Sequence, residues 1–177
     1  MRHIAAAWLL ALFCGAAFGQ ALEHEVKAAY LFKFLSFVEW PQAALGGPGA
    51  PLVIGVAGAD DAAAALEQMS AGRSAQGRPV EVRRLREGEL ATGVHMLFLP
   101  RALAPRLREL GRAAPVQPLL IVCEWDGALD QGAAVNFVRA DSRVRFEVAL
   151  DAAERRGLRI SSRMLAVASG VRGAPRP

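Results

Sequence analysis

Leu52-Val53-Ile54-Gly55-Val56-Ala57-Gly58-Ala59-Asp60 is the stretch on which the fold turns. Leu52 to Val56 is a short apolar run of the kind that forms a strand buried on both faces. Gly58-Ala59-Asp60 turns the chain, and Asp60 is placed to cap a helix running to about Met69. The spacing Gly55-x-x-Gly58 sits where a phosphate-binding turn would. It lacks the remaining glycines of the dinucleotide fingerprint and the Lys of a P-loop, so a tight strand–helix turn accounts for it.

Outward from this segment the same alternation repeats. Ala71 to Pro79 reads as loop, Val80 to Leu85 as a strand, and Val94 to Leu99 as another strand broken by Pro100. Ala102 to Leu110 reads as a helix and Leu119 to Cys123 as the next strand. Val135–Val138 and Val144–Val148 flank a short polar link and form a β-hairpin. Asp151 to Arg156 is a short helix stopped by Gly157, and Leu158 to Ile160 is extended. Ser161 or Ser162 caps a last helix to Ala168. Alternating strands and helices predict an α/β fold: a single layered domain with a mostly parallel central sheet flanked by helices, plus a C-terminal β-hairpin and short helices.

On the N-terminal side, Ala21 to Trp40 has no internal Gly or Pro, carries Glu23 and Glu25 in its first turn, and is stopped by Pro41. The pattern predicts one helix over 21–40. Its second half, from Tyr30 to Trp40, is apolar on nearly all sides, so it is buried on more than one face or meets a partner.

The first residues have another logic. Met1-Arg2-His3 precede an apolar run from Ile4 to Phe18, with Ala17 and Gly19 small at the end. These are the three parts of an export signal, cut near Gly19 or Ala21. The run is too short to span a bilayer as a helix. The division expected is therefore a signal peptide over 1–19, one domain over 20–170 and a loose Gly/Pro/Arg tail over 171–177.

Removing the signal leaves 20 Lys and Arg, one fewer than in the full chain, against 17 Asp and Glu. The basic residues are dispersed and the compartment is extracytoplasmic, which argues against nucleic-acid binding. Cys123 is the one cysteine left, so no internal bridge can form, and its apolar setting predicts a buried thiol.

No reactive constellation is legible. His24, His95 and Cys123 lie far apart, without metal-ligand spacing. No Gly-x-Ser-x-Gly elbow occurs, and Ser161-Ser162 fits capping. Glu124 and Asp126 fit turn and surface roles. The sequence therefore assigns no catalytic, metal or cofactor residue and favours a binding protein over an enzyme.

Two segments carry a resemblance. They are Lys27-Ala-Ala-Tyr-Leu-Phe-Lys-Phe-Leu-Ser-Phe-Val-Glu-Trp-Pro41, and the run from Val135-Asn-Phe-Val through Gly157-Leu-Arg-Ile-Ser-Ser-Arg-Met-Leu165. In order and spacing the chain resembles the YfiR-like family of periplasmic bacterial proteins. The resemblance implies a periplasmic repressor that binds the periplasmic sensing region of an inner-membrane diguanylate cyclase, holds it off and lowers cyclic-di-GMP. It also implies an outer-membrane lipoprotein able to capture the repressor, a homodimer, and no membrane insertion after signal cleavage. Under that reading Phe34, Phe37 and Trp40 are the candidates for self-association, and Glu154, Ile160 and Arg163 for partner binding. Control through internal disulfides, known in the family, is not available to a chain with Cys123 alone. The alternative is a periplasmic small-ligand sensor or solute-binding module, since α/β domains bind ligands at strand ends.

Overall fold

The N-terminal helix is shorter than its apolar pattern predicts. The computed structural model describes residues 22–86, 88–89, 91–112 and 116–173, and in it the helix α1 covers 22–34. The expected export signal lies outside the described residues. After α1 the chain turns into a short strand, β1 (Val38–Glu39). Tertiary hydrogen bonds take the backbone groups a longer helix would use. Gln76 Nε2 donates to the carbonyls of Leu35 and Val38 at 2.5 and 2.8 Å, and the Ser161 N–H donates to the Phe37 carbonyl at 2.8 Å. Trp40, which precedes Pro41, is also biased away from helical geometry.

The remaining elements follow in order. They are β2 (Leu52–Ala57), α2 (Asp60–Ser70), β3 (Ser74–Ala75), β4 (Arg78–Leu85), β5 (Met96–Leu99), α3 (Ala104–Arg112) and β6 (Leu120–Cys123). Then come β7 (Val135–Ala140), β8 (Arg143–Ala149), α4 (Leu150–Glu154), β9 (Arg159–Ile160), α5 (Ser162–Leu165) and β10 (Gly170–Arg172). Two expectations need correction. Asp60 is the first residue of α2 and not its cap; Ala59 holds the cap position without a side-chain bond. The tail expected to be loose from residue 171 begins as a strand, because β10 pairs in parallel with β8, Val171 opposite Val148.

Eight strands form one sheet in the order β10-β8-β7-β6-β5-β2-β4-β3. The five from β7 to β4 run parallel, while β8 and β3 are antiparallel additions at β7 and β4. The central strands β2, β5 and β6 are buried at every residue, as parallel strands covered on both faces must be. Chain order reverses at β2: the connection through α2 leads to β4 on one side, and the next strand, β5, lies on the other.

Packing explains the aromatic pattern of α1. Tyr30 and Phe34 meet the sheet face that carries Phe137 and Phe146. The Phe34 ring lies 4.9 Å from Phe146 and 6.0 Å from Phe137, and Phe98 extends the cluster at 6.0 Å from Phe137. Such edge-to-face and offset contacts add to the burial energy of the rings. α3 covers the opposite face, where Leu97 and Leu99 point. The two glycines of the opening segment have separate reasons. A Cβ on Gly55 would come within 3.0 Å of Leu85 and Val94, and Gly58 turns at φ +61°.

Candidate functional site

The surface named by sequence is built around a two-stranded ribbon outside the main sheet. β1 and β9 pair antiparallel, with Val38 opposite Ile160 and Glu39 opposite Arg159. Leu158 and Met164 are fully buried on either side of β9 and anchor it to the core. Ser161 caps α5, its Oγ accepting from the Arg163 N–H at 3.2 Å. These anchors fix an exposed face. Ile160 is half-buried between Arg159 and Ser161, and Glu154 and Arg163 are exposed. α4, which ends at Glu154, packs on β9. Among the described residues neither Glu154 nor Arg163 is in an ion pair, so both charges are available to a partner. Val167, 61% exposed just after α5, adds apolar area on the same segment.

The aromatic residues expected to mediate self-association are placed differently. Phe34 is 1% exposed and Trp40 is 6% exposed. Both are core side chains: Phe34 lies in the ring cluster, and the Trp40 Nε1–H donates to the His95 carbonyl at 3.1 Å. Neither offers surface to a second copy in this conformation. Phe37 is half-buried.

His95, buried just before β5, is a satisfied interior histidine. Its Nδ1 accepts from the Val53 N–H at 3.1 Å, so Nε2 carries the proton and donates to the Ala44 carbonyl at 3.0 Å. Burial pushes its pKa down, and the nearby Arg78 adds to this, against the raising effect of the Ala44 bond. Cys123 is fully buried, and burial raises its thiol pKa far above the ordinary range. A thiol so held is inert as a nucleophile. No group of His, Cys, Asp and Glu able to hold a metal occurs among the described residues.

Sequence reasoning missed an ionic cluster where α1 crosses the C-terminal end of β6. Lys27, 8% exposed, reaches Glu23 and Glu124, each at 2.7 Å. Arg139 pairs with the other oxygen of Glu23 at 3.0 Å. The Lys27 hydrogen bond holds the Glu23 carboxyl below its usual range. For Lys27, burial acts to lower the pKa, but the bonds from Glu124 and Glu23 outweigh it and raise the value. The cluster borders a polar cavity of about 490 Å³ that also meets Trp125 and Asp126. Its charges are paired, which suits tying α1 to the sheet. Glu23 and Lys27 are a local i,i+4 pair on α1, but Glu124 and Arg139 lie 97 and 116 residues from the partners they meet, so no local spacing could have revealed the cluster.

A smaller cavity, about 260 Å³, opens at the strand ends where chain order reverses. Ala57, Leu85, Leu97, Leu99 and Leu103 line it. Arg106 closes one side, donating to the Glu89 carbonyl at 2.6 Å and pairing with Glu109 at 3.1 Å. It is the place where open α/β sheets bind ligands.

No curated protein matches the chain. Among solved structures it is similar to a conserved domain protein from Vibrio cholerae O1 biovar El Tor strain N16961. That likeness has 13% identity and a TM-score of 0.50, and covers 68% of this chain and 54% of the other. The chain thus spans about half the length of that neighbour, and the likeness concerns the fold. The family described as YfiR/HmsC-like matches residues 24–169. The match takes in both segments that carried the resemblance and every strand from β1 to β9. The chain belongs to the YfiR/HmsC-like family, known as periplasmic regulators of diguanylate cyclases.

Proposed function

We propose that the exported chain binds the periplasmic sensing region of an inner-membrane diguanylate cyclase, holds the cyclase inactive and so lowers cyclic-di-GMP. The observation that carries this reading is the family match over residues 24–169. The ribbon surface supports it, since half-buried Ile160 lies there on the same segment as exposed Glu154 and Arg163, charges of opposite sign that are unpaired among the described residues. Contact regulation needs only differential affinity. A repressor that prefers the inactive cyclase shifts the population toward it, tenfold for each 1.4 kcal/mol or so of preference. Release follows if a competitor, such as an outer-membrane lipoprotein, captures the same repressor. A homodimer belongs to this reading, with Phe37, in the turn between α1 and β1, rather than Phe34 or Trp40 as the side chain able to contribute. The chain acts by contact and not by catalysis. A second reading, a small-ligand sensor, draws on the cavity at the strand ends, lined by leucines and by Arg86, Glu89, Arg106 and Glu109.

The test is cellular cyclic-di-GMP in the host with and without the gene. Deletion raises it, and the exported form restores it while a form lacking residues 1–19 does not. An unchanged level, with the membrane cyclases expressed, overturns the repressor reading. A rise in melting temperature with a small periplasmic metabolite would then favour the sensor.

A further inference from the structure

A second interaction surface lies at the far end of α1 from the ribbon. Asp141 and Ser142 turn the β7–β8 hairpin with φ of 50° and 59°. Positive φ at both central residues is the two-residue turn that matches strand twist, and it fixes the register with Arg139 opposite Val144. On its other side β8 is only half covered. β10 pairs with Glu147, Val148 and Ala149 and reaches no further toward the hairpin tip. The last bond on that edge runs from the Ser169 N–H to the Phe146 carbonyl. Backbone groups alternate along a strand, so Val144 directs its N–H and C=O to the same open edge. Among the described residues no strand pairs with it.

The open edge faces a groove of about 330 Å³ whose other wall is α1. Leu22, Val26 and Tyr30 stand one helical turn apart along that wall, and Leu22 is 62% exposed. Val144 faces α1 as the register partner of Arg139, whereas Arg143 and Arg145 project from the opposite face of the strand. Arg139, Arg143 and Arg145 all border the groove, and Glu23, already paired with Arg139, is the one acid among its lining residues.

We propose that this groove captures an extended acidic segment of a partner protein, which adds as a strand beside Val144. Strand addition supplies affinity through backbone bonds and specificity through alternate side chains. An added strand would present every second residue to Leu22, Val26 and Tyr30, and the residues between them to Arg143 and Arg145. The matching pattern alternates apolar and acidic residues. The surface is separate from the ribbon and goes beyond the cyclase reading. An unpaired strand edge is otherwise an aggregation hazard, and flanking arginines guard it as well as select its ligand.

The probe is a fluorescein-labelled Glu-Val-Glu-Val-Glu-Val peptide, followed by anisotropy on the exported form. It binds, with affinity falling as salt rises, while Lys-Val-Lys-Val-Lys-Val does not. Arg143→Glu with Arg145→Glu weakens binding at least about tenfold. Val144→Pro removes an edge donor without breaking a bond to β7 and weakens it comparably. A peptide N-methylated on its pairing edge tests the same bonds without changing the protein, and it loses binding too. Equal binding of the methylated peptide means that the arginines merely adsorb acid, and overturns the proposal. So does absence of peptide binding while phosphatidylglycerol vesicles co-sediment with the protein, which would assign the arginines to a lipid surface. Neither result bears on cyclase repression, which is read separately from cyclic-di-GMP.

Discussion

His95 shows most directly how one residue ties the fold to conditions. Both ring nitrogens are used, on Val53 and Ala44, and only the neutral ring can do this. Its pKa is depressed in the folded state, first by burial. The unfolded chain therefore binds the proton more readily, and stability drains away as pH falls through the ordinary histidine value of about 6.5. Urea melts between about pH 7 and 5 should show this loss, and His95→Phe should flatten it. At pH 7 that variant should cost about 1–3 kcal/mol, since it leaves the buried Val53 N–H and the half-buried Ala44 C=O unpaired. An unchanged melt would refute the assignment. Glu23 adds in the same direction: its carboxyl is held low by Lys27, so its contribution fades as pH falls below the usual carboxylate range.

The elements show what was legible in sequence and what was not. β2, β5 and β6 stood out because parallel strands buried on both faces are continuous apolar runs. The hairpin was legible from its alternation. α1 is shorter than its pattern predicts because the residues after Phe34 continue the apolar pattern as a largely buried turn and strand, and burial alone does not distinguish these from helix. What ends the helix is Gln76 and Ser161, remote in the chain. The same remoteness hid the Lys27 cluster. Ile160, Glu154 and Arg163 are candidates by resemblance alone, and local spacing does not single them out. Because Phe34 is core, Phe34→Ala should lower unfolding free energy by about 3–5 kcal/mol, read by chemical denaturation. Its mass by light scattering should match that of the unaltered protein. A change of oligomeric state without loss of stability would return Phe34 to an interface.

At the scale of the whole molecule, a rigid sheet carries two separate surfaces at opposite ends of α1. The ribbon β1–β9 carries Ile160, with Glu154 and Arg163 on the short helices that flank β9, and the groove beside β8 presents arginines. No described helix is long and apolar enough to cross a membrane, and the family is periplasmic. Function on this account is contact with other proteins, graded by affinity and not by chemistry at Cys123. The most direct test of contact regulation is calorimetric titration of the exported form into the purified periplasmic region of the host's membrane diguanylate cyclase. The account predicts saturable binding, weakened at least about tenfold by Glu154→Lys with Arg163→Glu, since exposed charges at an interface tune affinity without holding the fold. No heat of binding to any of the host's cyclases, from a protein that melts cooperatively, would contradict it.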